Sequence, residues 1–368
     1  MEFSLSTDEM DIQEMARRFM ADRDASALWS EEEPGAFDEG VYREMAGLGF
    51  FSLAASQEVG GMGMSQLAGG LVLEAAGYQL FPGPLLGHYA ALAMGTNLSE
   101  GLMTDLVTGA KYVSPAYGWR GNGIPASVTL AQEGSLRGKT AAGHAHKVDR
   151  LMVTAATEHD DLVAVALVDT RAAGVTIEPT YHADLSWAAT LVAFEGCEPE
   201  AVAIVPASRV FRGITTAAGL TAAYQLGSCQ RVLDDTVEYA KNRKQFGNPI
   251  GSFQTLKHRI ADMHINLEHT RSLMLASLAV DPARDGARLC LLAKLAADQT
   301  LSTAAESALQ IYAGIGFTWE SQIHRYVRAA IRLAEWPWPS STVRRLIRHT
   351  LVGDDPYELT TETQLEAV

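Results

Sequence analysis

Two stretches of the chain combine polar side chains and glycines in patterns suited to an anionic ligand. The first reads Tyr239-Ala-Lys-Asn-Arg-Lys-Gln-Phe-Gly-Asn-Pro-Ile-Gly-Ser-Phe-Gln254. Its spacing predicts a long helix ending at Gly247, a short turn containing Pro249, and a new helix from about Ser252. An arginine in the last helical turn beside a glycine turn presents a guanidinium fork that can grip a pyrophosphate. A plainer reading stays open, in which Arg243 and Lys244 only stabilise a helix C-terminus. The second stretch reads Gln310-Ile-Tyr-Ala-Gly-Ile-Gly-Phe-Thr-Trp-Glu320, at the close of another long apolar helix. Its glycines either admit backbone amides to a ligand or simply stop the helix and turn the chain.

Other chemistry-bearing residues are less organised. His144 and His146 sit two apart, but no third ligand lies at metal-binding spacing. His258, His264 and His269 do not align on one helical face, so they read as surface or packing residues. The segment Trp336-Pro-Trp-Pro339 must break a helix, and serves either as the wall of a ligand pocket or as a packed turn. Arg344, Arg345, Arg348 and His349 form a cationic helix face, turned to the phosphates of a ligand, to a partner chain or to solvent. Cys197, Cys229 and Cys290 are odd in number and lack CxxC spacing, which argues against a disulfide framework and fits a reducing cytoplasm.

The elements that must position these residues follow from periodicity. Apolar residues recur at helical spacing from Ser6 to about Gly109, interrupted by the glycine-rich turn at Glu58 to Ser65. The first helix is expected to open near Thr7, with Glu9 and Glu14 where the helix dipole favours acids. Between about Lys111 and Pro206, ASVTLAQ, RLMVTAAT, LVAVALVDT, GVTIEPT and TLVAFEG read as short strands. From Ser208 the helical period returns with the wide apolar stripes of a bundle. The expected fold class is therefore α+β: an N-terminal helical domain (1–110), a middle β-domain (111–206), a C-terminal domain of four-helix-bundle type (207–353) and a frayed acidic tail (354–368). Segregation of helices from strands argues against a doubly wound dinucleotide fold. With 29 basic against 44 acidic residues, a formal net charge of −15, nucleic acid is not an expected partner. No signal peptide and no membrane span is read from the sequence.

Taken together, the two glycine-containing stretches resemble the acyl-CoA dehydrogenase family, whose pattern is R-x-x-F-G-x-x-I…Q followed some 60 residues later by Q-I-x-G-G-x-G-F. The matching positions are Arg243, Phe246, Gly247, Ile250 and Gln254, then Gln310, Gly314 and Gly316, with Ala313 in place of the first glycine of the pair. SQEVGGMGMS at Ser56 to Ser65 and VLEAAGYQLFPGPLL at Val72 to Leu86 extend the resemblance over nearly the whole chain. It implies FAD at a subunit interface, held by two sets of residues. The trans set, which takes the pyrophosphate and adenosine end of the neighbour's flavin, is carried over as Arg243, Gln245, Phe246, Gln254, Gln310 and Gly314. The chemistry implied is abstraction of the α-proton of an acyl-CoA thioester by a carboxylate while the β-hydrogen leaves as hydride.

The cis set departs from the family. The flavin-covering T-E-P-x-x-G-S-D loop is replaced by Ser114-Pro-Ala-Tyr-Gly-Trp-Arg-Gly-Asn-Gly123. The G-x-K-x-W-I-T-N-G strand becomes Gly138-Lys-Thr-Ala-Ala-Gly-His-Ala-His146, without its tryptophan. The glutamate of the C-terminal Y-E-G-T motif is missing from Leu333 to Ser341, where Glu335 lies about two residues away. The alternative Glu-Arg position falls on Ala217 and Ala218, and a later one on Tyr224, so no catalytic base is assigned. Keeping one half of a binding set and losing the other is what the degenerate subunit of an actinobacterial α2β2 acyl-CoA dehydrogenase would show. The expected partners are a catalytic subunit, an acyl-CoA substrate, a steroid side-chain ester among the candidates, and an electron acceptor. A self-sufficient homomer with Glu335 as base, and a scaffold of the same fold without flavin, are the alternatives.

Overall fold

The computed structural model describes residues 5–23, 25–94, 100–118, 127–280 and 286–351. The predicted acidic tail 354–368 and the Trp119 to Gly123 part of the substituted loop lie outside them.

Helix α1 (Thr7–Ala21) opens where the acidic pattern placed it, and a reciprocal cap fixes its start: the Glu9 amide donates to Ser6 Oγ, while the Glu9 carboxylate accepts from the Ser6 amide. Asp38 caps α2 (Glu39–Gly47). Helices α3 (Gln66–Tyr78) and α4 (Leu85–Met94) are apolar on nearly every side and buried accordingly, and α5 (Glu100–Val107) follows.

The chain then builds one eight-stranded sheet: β1 (Val113–Tyr117), β2 (Val128–Leu130), β3 (Leu136–Gly143), β4 (Arg150–Ala156), β5 (Leu162–Asp169), β6 (Val175–Thr180), β7 (Ala189–Cys197) and β8 (Ala201–Pro206). The order is β6-β7-β3-β1-β4-β5-β8, with β2 paired to β3 and β4. β1 runs antiparallel to β3 and parallel to β4. Alternate residues of β1, β4, β5 and β8 face the helices around Phe211, Leu291 and Trp338. The other face makes its own core from Leu151, Val153, Val168, Val192 and Phe194.

A bundle completes the chain, with α6 (Ala207–Asn242), α7 (Gln254–Ala279), α8 (Ala287–Tyr312), α9 (Ile323–Glu335) and α10 (Ser340–Leu351). The break between α9 and α10 falls on Trp336-Pro-Trp-Pro339, as its prolines require. Trp338 is fully buried against Phe211, with ring centroids 5.2 Å apart. Buried Asp298 holds this turn, accepting hydrogen bonds from Lys294 Nζ, Gln225 Nε2 and Ser340 Oγ. Burial pulls the Lys294 ammonium below its usual range, opposed by Asp298.

One sequence expectation is corrected here. Helix α6 stops at Asn242, not Gly247, and Arg243 is already extended, with φ −72° and ψ 125°. Two-residue strands β9 (Lys244–Gln245) and β10 (Asn248–Pro249) form a hairpin whose loop is Phe246-Gly247. Both loop residues have positive φ, 52° and 80°, the geometry of a tight mirror-image turn that matches strand twist. The three cysteines are free and buried. Among the described residues, no group of three or more His, Cys, Asp or Glu could hold a metal, and no helix is long and apolar enough to cross a membrane.

Candidate functional site

The two stretches singled out in the sequence meet. Tyr239 and Tyr312 stack with centroids 4.0 Å apart, and Ala240, Ile250 and Ile311 form a small apolar cluster beneath them. Tyr312 Oη donates to the Asp235 carbonyl, and the Ile250 amide donates to the Arg243 carbonyl, closing the base of the hairpin. Apolar packing thus joins the β9–β10 hairpin to the end of α8. The polar groups are left outside.

Arg243, Gln245, Phe246, Gln254, Gln310 and Gly314 are all exposed. Phe246 is 90% exposed at the hairpin tip, meeting only the edge of Phe253 at 6.3 Å. The Arg243 guanidinium has no ion pair or hydrogen bond among the described residues. Gln245 Nε2 turns back to the Lys244 carbonyl, and Gln254 Nε2 lies 3.1 Å from His258 Nε2. Around Gly314 a built Cβ would meet nothing within 4 Å. Beside the hairpin, a groove of about 940 Å³ runs between α6 and α7, lined by Val237, Lys241, Pro249, Lys257 and Ile260. The strip is rich in donors and open, and its guanidinium is unpaired among the described residues, which fits a nucleotide pyrophosphate.

The segments expected to form the cis half also meet, but they fill the space themselves. Trp187, in the loop before β7, lies so close over Gly143 that a Cβ there would be 1.9 Å from the indole. Its ring meets His144 edge-on at 4.7 Å. Trp336 stands 6.1 Å from Trp187 and 6.2 Å from Tyr117. Arg332 places its guanidinium carbon 4.4 Å over Trp187 and donates from Nε to Asp184 Oδ2 at 2.6 Å, a pair almost wholly buried. Asp184 Oδ1 in turn accepts from the Ser186 amide and hydroxyl. Inserting a further ring face to face would need roughly twice a 3.5 Å contact between its neighbours. The observed centroid spacings are shorter, so a flavin ring cannot insert between Trp336 and either neighbour without displacing Trp336.

His144 belongs to this plug, not to a metal site. Its Nε2 accepts the Ala188 amide at 3.3 Å, and burial, with Arg332 next, pushes its pKa well below the usual histidine range. The Asp184–Arg332 pair escaped sequence reading because 148 residues separate the partners and neither lies in a motif.

Of the positions where a base was sought, Glu335 alone carries a carboxylate. Ala217 and Ala218 are fully buried inside α6, and Tyr224 Oη donates to the Phe81 carbonyl. Glu335 is exposed at the end of α9, with no hydrogen bond or ion pair among the described residues.

Fold and site together define a class. The family model for the acyl-CoA dehydrogenase N-terminal domain matches residues 6–99, and that for the acyl-CoA dehydrogenase C-terminal domain matches residues 209–348. Acyl-CoA dehydrogenase IpdE2 of Mycobacterium tuberculosis is 32% identical over 321 residues, covering 84% of this chain and 86% of the relative. The chain belongs to the acyl-CoA dehydrogenase family. Benzylmalonyl-CoA dehydrogenase of Aromatoleum aromaticum is 28% identical, covering 89% of this chain and 93% of its own. Among solved structures, a chain of the ChsE4-ChsE5 complex from Mycobacterium tuberculosis superposes with a TM-score of 0.84 at 25% identity, covering 96% of this chain and all of the other. A chain of the steroid ACAD Tcur3481-Tcur3483 gives a TM-score of 0.82 at 26% identity, covering 94% and 98%.

Proposed function

We propose that this chain is one subunit of a heteromeric, FAD-dependent acyl-CoA dehydrogenase, supplying the trans half of a flavin site to a catalytic partner. The observation that carries the reading is the contrast between two halves of one expected site. The trans strip is open, keeps the Arg243 guanidinium free of ion pairs among the described residues and is tipped by a solvent-exposed phenylalanine, while the cis half is closed by Trp187, Trp336 and the Asp184–Arg332 pair.

Bound FAD supplies the hydride acceptor for α,β-desaturation of a CoA thioester. This chain's part is positioning: Arg243 offers a guanidinium fork to the pyrophosphate, Gln245, Gln254 and Gln310 offer amide donors, Gly314 admits backbone, and Phe246 offers an apolar face to the adenosine end. The base that removes the α-proton belongs to the partner. A steroid side-chain thioester is the favoured substrate class, supported by likeness to a solved steroid ACAD. A cytoplasmic α2β2 assembly passing electrons to an external acceptor, and a division into domains at 1–110, 111–206 and 207–353, belong to the same reading.

The test is flavin absorbance of the chain purified alone and after co-purification with a catalytic acyl-CoA dehydrogenase subunit. A colourless lone chain and about one FAD per heterodimer are expected. A full flavin complement in the lone chain would overturn the reading and return attention to Glu335.

A further inference from the structure

The first turn of α9 carries charge of the wrong sign for its place. A helix N-terminus favours anions, yet α9 has no acidic residue in its first turn, opens on His324 and Arg325, and adds Arg328 one turn on. The Gln322 side chain makes no cap hydrogen bond.

The side chains are not simply solvated. The Arg325 guanidinium carbon sits 4.4 Å from the Trp29 ring and 5.5 Å from Trp319, and that of Arg328 sits 5.1 Å from Trp319. Arg325 Nε and Nη1 are out of contact with solvent and have no hydrogen-bond partner. His324 is 8% exposed, edge-on to Trp319 at 4.8 Å, and neither ring nitrogen has a partner. Arg328 Nη1 makes one long bond, 3.4 Å, to the Ala183 carbonyl. Among the described residues neither arginine has a carboxylate within ion-pair distance, although Arg231, Arg271 and Arg332 nearby in the same bundle each have one.

Buried polar groups are almost always hydrogen-bonded, and two neighbouring guanidinium groups without a counter-ion repel. Burial followed by Arg328 lowers the Arg325 pKa; burial, then Arg328 and Arg325, lowers that of His324 to about 4. Such a cluster lacks a negatively charged acceptor. Trp319, 54% exposed, and Phe317, 67% exposed, leave one side open for its approach.

We propose that the N-terminal turn of α9 is an oxyanion site, with Arg325, Arg328 and His324 as donors and Trp29 and Trp319 as walls, for a phosphate or carboxylate from outside the chain. Cation–π contact with Trp29 and Trp319 restricts the Arg325 fork in advance of the ligand. Arg328 then adds a second charge from the next turn. The proposal does not depend on the reading given above for Arg243 and Gln310.

The test uses the complete chain alone, without flavin, so its failure leaves that reading untouched. Calorimetric titration in low-chloride buffer with inorganic phosphate, ADP and succinate should show saturable binding of at least one. Arg328→Gln, which leaves the Arg325 stack in place, should weaken it about tenfold or more. Phosphate and ADP binding alike assigns the site to a phosphate group, much tighter ADP adds the base on Trp319, and a preference for succinate points to a protein carboxylate. A thermal melt checks that the variant is folded, and Trp319→Ala, at an exposed ring, gives a second variant expected to weaken the same titration. No saturable binding up to about 10 mM of any probe, a range that covers even millimolar affinity, or an unchanged titration in folded Arg328→Gln, overturns the proposal.

Discussion

Phe246 is costly to this chain in two ways. Its φ of 52° lies where L side chains are strained, typically by about 1–3 kcal/mol, and its ring stands in solvent. Asparagine before glycine is the preferred loop for this turn, since it tolerates positive φ. Phe246→Asn is therefore expected to raise the stability of the lone chain by about 1 kcal/mol in urea unfolding, while lowering the flavin retained by the co-purified complex. A destabilised lone chain would remove the strain argument; unchanged flavin content would remove Phe246 from the site. Ala313, with φ 53° and ψ −139° where the family pattern has glycine, is strained in the same sense. Ala313→Gly should stabilise the chain by about 1 kcal/mol after the entropy that glycine loses on folding, by the same unfolding measurement. Both positions stood out in the sequence because of their motifs. The hairpin did not, because Phe-Gly conceals a turn that Asn-Gly would have announced.

His88 couples three elements that sequence patterns treat separately. It is fully buried in α4; its Nε2 hydrogen bonds to the Leu106 carbonyl at 3.0 Å, and its Nδ1 accepts the Val113 amide at 3.2 Å. That pairing fixes the neutral tautomer with hydrogen on Nε2 and ties the end of α5 to the start of β1. Burial lowers its pKa to about 4 from 6.5, opposed by the Leu106 bond. Above pH 6.5 both folded and unfolded chains carry it neutral, so its contribution is complete. As pH falls from 6.5 toward 4, the unfolded chain takes up a proton that the folded chain refuses, and roughly 3 kcal/mol of stability is lost across that window. His144 acts in the same direction, so the signature of His88 is a difference: His88→Gln, which keeps a donor and an acceptor without titrating, should flatten the pH dependence of unfolding free energy between 6.5 and 4. Identical slopes would mean that His88 is protonated in the fold. The five strands read from periodicity are all present in the eight-stranded sheet, to which β1, β3 and β8 are added. β3 reads LRGKTAAG, with few β-branched residues. It is a strand because it pairs with β7 along its whole length and with β1 and β2, and tertiary pairing overrides weak propensity.

At the scale of the molecule, the plug and the strip predict different responses to the same ligand. A protein that binds a ligand only in its folded state gains stability of RT ln(1 + [L]/Kd), so a chain with its own flavin pocket should melt later as FAD is added. Here the ground expected for the ring is occupied by Trp187, Trp336 and a buried ion pair, so the lone chain is already packed without a cofactor. Its melting temperature should not move with FAD up to about a hundred times the Kd of the heteromer, where a binder would gain about 2.7 kcal/mol. The complex with a catalytic subunit should instead melt later with FAD, and Arg243→Gln in this chain should reduce that shift without altering the lone-chain melt, because the Arg243 guanidinium makes no hydrogen bond or ion pair among the described residues. The plug variant Trp336→Ala provides the counterpart, since truncating a ring packed on Trp187 and Tyr117 should lower lone-chain stability by about 3 kcal/mol whether or not FAD is present. A lone chain that melts later with FAD, in wild type or after Trp336→Ala, would show that the plug is a closed form of a working pocket and would place both halves of the flavin site on one polypeptide.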